Sequence, residues 1–305
     1  MKEKILKIIV CIIVIIIVAI IIELSYLMIA DIETKLPNEN SYSCLIDQKK
    51  FKNRKVFIIT PKEVQKTDIT ILYFHGGSYM AEATDQHWTF LEKIINDTGA
   101  TVILPDYPLT PKYHYKDVFN MVEPLYEEII NKVNPENLIL MGDSAGGGLT
   151  LALEESLSNK SILMPSKTIL ISPWLDVRLE NPDIDKVQKY DKDLNKDALK
   201  LAGIAYAGGN EEGINSFLVN PIDGDLSKLK NITIFTGTYD ILNPDVKILK
   251  EKAEKQNVKI DMKEYEGASH VWILKNPKEN PKEKDAIING YEEIIKLIKQ
   301  KDAGE

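Results

Sequence analysis

"LILMGDSAGGGLTLAL", residues 138–153, decides the fold. A short apolar run of strand character enters a tight turn, Gly142-Asp143-Ser144-Ala145-Gly146, and an apolar helical pattern leaves it. A serine on such a turn is held in a strained backbone conformation, and small residues two before and two after it relieve crowding between strand and helix. Its hydroxyl then projects above the sheet, where the N-terminus of the next helix offers unpaired N–H groups and a positive dipole end to an oxyanion. The side chain of Asp143 is expected to aim away from that side of the turn. A phosphate-binding turn is disfavoured, because neither a Walker lysine nor a G-x-G-x-x-G spacing accompanies the glycines.

Outward from this stretch, β-branched runs recur at 56–60, 69–74, 101–107, 168–174, 232–238 and 259–265, several of them apolar throughout, as strands covered on both faces must be. Helix-period segments at 85–97, 115–133, 145–158, 245–256 and 285–300 lie between them. Strand alternating with helix predicts a mostly parallel sheet flanked by helices. The rhythm breaks from Asp176 to about Pro221, where one helical stretch, "KDALKLAGIAYAG", stands in charged sequence. An insertion of that length predicts a lid or cap.

A serine hydroxyl becomes a nucleophile when a base takes its proton, and histidine is the usual base. Of His75, His87, His114 and His270, only His270, in "KEYEGASHVW", follows Ser144. In the order serine, acid, histidine, the acid lies at a strand end between them; "IFTGTYDILNP" places Asp240 there, with Asp245 as the alternate. Donors for the oxyanion are expected from "HGGSY", residues 75–79, whose glycines let backbone N–H groups approach a substrate. Tyr79, Trp88 and Trp174 are candidate pocket residues, although large aromatics more often serve the core.

Composition bounds the rest. The chain has 305 residues, a net charge of −8 and scattered lysines, which excludes a basic nucleic-acid stripe. Two cysteines cannot build a disulfide framework, and His and Cys do not cluster at ligand spacing, so no metal or organic cofactor is implied. The N-terminus carries Lys2, Lys4 and Lys7 and then no charge from Ile8 to Ile22. From Ile5 a helix would reach about 27 Å, close to the hydrocarbon thickness of a bilayer. With Glu23, Asp31 and Glu33 after the run, the charge bias predicts a cytoplasmic 1–7, a signal anchor at 8–24 and everything beyond it outside the cell membrane. The alternatives are a cleaved signal peptide, giving a secreted protein, and a buried helix. Residues 25–55 read as a polar, irregular stalk and part of a cap, and 56–305 as the catalytic domain.

"HGGSY", "DYPLTP" at 106–111, "GDSAGGGL" at 142–149, "SPWLD" at 172–176, "GTYDIL" at 237–242 and "ASHVW" at 268–272 stand in the order found in one family. From about residue 50 onward the chain resembles the hormone-sensitive-lipase-like branch of the α/β-hydrolase esterases. The resemblance implies an α/β-hydrolase fold with a small helical cap, built from residues 30–55 and the insertion at 177–222. It implies Ser144 as nucleophile, His270 as general base and then acid, Asp240 as its orienting acid, and oxyanion N–H groups from Gly77, Ser78 and Ala145. His75, with Gly76, would support the loop. Ser78 replaces the family's third glycine, and Pro108 replaces its more usual arginine. The expected activity is serine carboxylester hydrolysis of a small-molecule or surface-polymer ester of short to medium acyl length. A serine amidase or peptidase of the same fold, or a catalytically idle binding protein, are the alternatives.

Overall fold

A computed structural model describes residues 31–37 and 42–300, with six helical or flanking positions between Ile9 and Ile17. The anchor expected at 8–24 lies outside the described residues, apart from Ile9, Ile12, Ile13 and Ile15 to Ile17, which are helical and exposed. Among the described residues, no helix is long and apolar enough to cross a membrane.

The chain forms an eight-stranded sheet from β1 (Cys44–Phe51), β2 (Arg54–Pro61), β3 (Thr70–Phe74), β4 (Thr101–Pro105), β5 (Leu138–Asp143), β6 (Lys167–Ile171), β7 (Ile232–Gly237) and β8 (Ile260–Tyr265). Its order is β1-β2-β4-β3-β5-β6-β7-β8. The β1–β2 and β2–β4 pairs are antiparallel, and every other pair is parallel. The helices are α1 (Asp85–Thr98), α2 (Tyr115–Ile130), α3 (Ser144–Asn159), α4 (Asp183–Gln188), α5 (Lys196–Tyr206), α6 (Glu211–Ile214), α7 (Asn243–Lys255) and α8 (Lys284–Lys299).

Central strands are buried on both faces because successive side chains enter opposite layers. Leu138 and Leu140 of β5 join the cluster under α2 and α3, whereas Ile139 and Met141 join the one under α1 and α8. The parallel strands end their C-termini on one side, where the Ser144 turn, the Asp240 loop and the His270 loop meet.

The expectation of an irregular 25–55 is corrected in part. Residues 44–51 form an edge strand, and what hid it is the run Asp47, Gln48, Lys49 and Lys50, polar and exposed on both faces of the strand. The insertion at 177–222 carries the expected helix, α5, together with the shorter α4 and α6.

Candidate active site

β5 runs into α3 without an intervening loop, and the turn between them holds Ser144 at φ +52°, a left-handed conformation costly for any residue but glycine. Close approach explains the neighbouring glycines. A Cβ at Gly146 would strike the carbonyl of Phe74 on β3, one at Gly142 the carbonyl of Gly146, and one at Gly148 the carbonyl of Trp174. Strand, helix and the 172–176 loop therefore pack backbone to backbone around the serine.

Ser144, His270 and Asp240 are brought together. His270 Nε2 lies 2.9 Å from Ser144 Oγ, and His270 Nδ1 lies 2.9 Å from Asp240 Oδ2. The tautomer with its proton on Nδ1 satisfies both contacts, donating to the carboxylate and accepting from the hydroxyl. Burial opposes charge on the imidazole, but the Asp240 carboxylate and its hydrogen bond, with Asp191 and Asp143 farther off, raise the His270 pKa above its usual value. Asp240 is fully buried, and its Oδ1 accepts the Leu242 N–H at 2.9 Å. The alternate acid, Asp245, is not brought to His270; it sits in the first turn of α7, accepts from Asn181 Nδ2 at 2.9 Å, and is pushed up to about 6 by burial.

The 75–79 loop is bent by three successive positive φ angles, +119° at Gly77, +55° at Ser78 and +61° at Tyr79. Asp143 ties this loop to the serine turn. Its Oδ1 accepts from Gly76 N at 2.9 Å and from the Tyr73 hydroxyl at 2.6 Å, while Oδ2 lies 3.3 Å from His87 Nε2. Burial disfavours its charge, yet His87 and the Tyr73 hydrogen bond hold the carboxyl below its usual range. The side chain thus points beneath the turn, away from His270. His75 stacks on Tyr107 with ring centroids 4.5 Å apart, and its Nδ1 lies 2.7 Å from the Gly76 carbonyl; burial lowers its pKa to about 4. Ala145 lies in the first turn of α3, where an amide has no intrahelical acceptor.

The aromatic candidates separate. Trp88 is corrected as a pocket residue: α1 places it in the opposite core layer, edge-on to Phe57 at 5.3 Å. Tyr79 and Trp174 remain on the Ser144 side, fully buried and stacked at 5.7 Å, and Tyr79 also stacks on Tyr206 of α5 at 3.6 Å. They connect cap helix α5 to the 75–79 and 172–176 loops.

Two residues that sequence reasoning passed over belong to the site. His87 was set aside by chain order, although a histidine three residues after the helix-capping Thr84 signals a side chain turned inward. Asp191, in the irregular cap sequence, accepts from Ile241 N at 2.9 Å, one residue beyond Asp240, and carried no signal of its own. An arginine does reach the 106–111 loop in spite of Pro108. Arg54 of β2 donates to the Asp106 carbonyl at 2.8 Å and pairs with the carboxylates of Asp106 and Asp31, which fastens residues 31–34 to the domain.

A mostly parallel sheet with a strained serine after β5 and a histidine beyond β8 is the plan of an α/β hydrolase. The chain belongs to the α/β-hydrolase fold family, whose pattern matches residues 71–274. It is similar to an esterase of Acinetobacter venetianus, 33% identical over 198 residues, a match spanning 65% of each chain and so just under two thirds of that relative's length. An acetyl-hydrolase of Streptomyces hygroscopicus is 26% identical over 68% of this chain and 69% of its own. Among solved structures, a Staphylococcus aureus protein described as a candidate esterase superimposes with a TM-score of 0.75 at 26% identity, covering 84% of this chain and 86% of that one. An esterase of the bacterial hormone-sensitive lipase family shares the fold, with a TM-score of 0.75, 24% identity, and coverage of 86% and 87%.

Proposed function

We propose that the chain is a serine carboxylesterase held at the cell membrane by its N-terminal segment, with the catalytic domain on the outer side. The observation that carries the esterase reading is the continuous hydrogen-bonded line Ser144–His270–Asp240, each contact 2.9 Å, beside a glycine loop, while the membrane placement rests on the uncharged run Ile8–Ile22 with lysines before it. His270 takes the hydroxyl proton as Ser144 Oγ attacks the ester carbonyl, and the N–H groups of Gly77, Ser78 and Ala145 receive the developing oxyanion. Collapse of that intermediate breaks the bond to the alcohol oxygen, which leaves with the proton from His270. Water, deprotonated by His270, then attacks the acyl-enzyme, and the acid departs as Ser144 recovers its proton. Asp240 keeps the imidazole oriented and stabilises the imidazolium between the two transfers.

Support for an ester substrate of short to medium acyl length comes from the relatives, an esterase and an acetyl-hydrolase by name. Hydrolysis of a p-nitrophenyl series from acetate to palmitate by the full chain in detergent tests the reading, with Ser144→Ala as control and a p-nitroanilide as the amide comparison. Turnover that peaks on a short ester and vanishes with Ser144→Ala supports it. Turnover of the anilide alone assigns an amidase, and a folded protein silent on every substrate assigns a binding role.

A further inference from the structure

We propose that the catalytic face docks on the lipid surface, so that substrate esters enter the site from the bilayer. This rests on the N-terminal segment being a membrane anchor. Three observations converge on it: tether length, where the tether meets the domain, and where the exposed apolar side chains lie.

Eight residues, 23–30, separate Ile22, the last of the uncharged run, from Asp31. Fully extended they reach at most about 28 Å. Asp31 is pinned to the domain by Arg54 at 2.5 Å, Lys112 at 3.0 Å and the Tyr113 hydroxyl at 2.9 Å. A folded body of this size is about 45–50 Å across, so the surface opposite Asp31 cannot reach the bilayer while the tether holds.

Asp31 sits at the catalytic end of the sheet. Lys112 and Tyr113 follow the C-terminal end of β4, and the next residue, His114, contacts the Ala205 carbonyl of cap helix α5 through Nδ1 at 3.1 Å. The attachment point and the cap are therefore neighbours.

Outside the N-terminal segment, six of the ten large apolar side chains exposed among the described residues lie at this same end: Leu36, Met80, Tyr190, Leu201, Ile204 and Tyr239. Helix α5 buries Leu199, Ala202, Gly203 and Tyr206 against the domain and turns Leu201 and Ile204, three residues apart, outward. Leu201, at 69% exposed, is the most open of the ten. Tyr190 and Tyr239 stack at 5.0 Å beside the Asp240 loop, and Met80 follows the 75–79 loop. Scattered singly, such residues would mean little; gathered at the C-terminal end of the sheet they make an apolar rim on that end of the molecule. Lys35 is paired with Glu82, and Lys189 lies over the ring of Tyr190 at 4.7 Å, so the rim carries charge of both signs around its apolar side chains. The surface it fits is the interfacial zone of a zwitterionic bilayer, where aromatic and aliphatic side chains settle at headgroup depth.

The test uses the full chain in phosphatidylcholine vesicles. Leu201→Cys, in a Cys11→Ala, Cys44→Ala background, carries a polarity-sensitive fluorophore, with Ile248→Cys on the outer side of α7 as the comparison, and lipids bearing a doxyl quencher are added. Docking predicts strong quenching at position 201 and little at 248. Protein that floats with the vesicles yet is quenched equally or at neither position overturns the docking inference and leaves the anchor standing; protein that does not float overturns both. In a second arm, Leu201→Glu with Ile204→Glu should slow hydrolysis of a vesicle-embedded ester by about tenfold or more and leave soluble p-nitrophenyl acetate unaffected. Equal loss on both substrates would make the pair part of the cap's structure and overturn docking.

Discussion

At the scale of single residues, the site buries Asp143 and His270 among neighbours that favour their charged forms. The proposed mechanism requires neutral His270, and its pKa stands above the ordinary imidazole value because, against the cost of burial, Asp240 stabilises the charged ring. The acid limb of kcat/KM is accordingly expected above pH 6.5. Asp240→Asn removes that stabilisation, so the limb should move to lower pH while kcat falls roughly 10³–10⁴-fold, as loss of the orienting carboxylate does elsewhere. Asp143 acts through the loop. Without an acceptor for Gly76 N, the amides of Gly77 and Ser78 lose their support, and Asp143→Ala is expected to lower kcat about 10²-fold with KM nearly unchanged. Asp143→Asn, which keeps an acceptor oxygen, should recover most of the rate. Much of this site was legible in the sequence, because Ser144, Asp240 and His270 each follow within five residues the C-terminal end of a strand that a β-branched run marks. Asp191 was not legible, since its role comes from tertiary placement of an irregular segment.

At the scale of elements, β5 and α3 meet so closely that glycine is a packing requirement as much as a conformational one. Gly148→Ala should destabilise the protein by about 1–3 kcal/mol in urea unfolding, because the new methyl meets a backbone carbonyl that cannot rotate aside. The central strands announced themselves through continuous apolar runs, which only two-sided burial explains. β1 shows no apolar run because it is an edge strand whose second half, Asp47 to Lys50, is polar and exposed on both faces. Trp88 was misplaced for a related reason. Helical periodicity shows that α1 has a buried side, but it does not say which layer of the sheet that side covers.

At the scale of the whole molecule, helix α3 buries two carboxyl groups remote from the chemistry. Burial raises Glu154 to about 8 and pushes Glu155 well above its usual range. The folded state therefore keeps protons that the unfolded chain releases above about pH 4.5, and the Glu154 contribution to stability falls as pH rises from there until that group ionises in the native protein near 8. Glu154→Gln should match the wild type in thermal unfolding at pH 5 and exceed it by several degrees at pH 8. The cap makes a different connection across the molecule. Asp191 grips the amide next to Asp240, so whatever free energy the seated cap lends to the acid loop, the acid loop returns to the seated cap. A substrate bulky enough to displace residues 189–194 would be processed by an imidazole less firmly held. On the proposed mechanism a crowded ester should register as bound but slow.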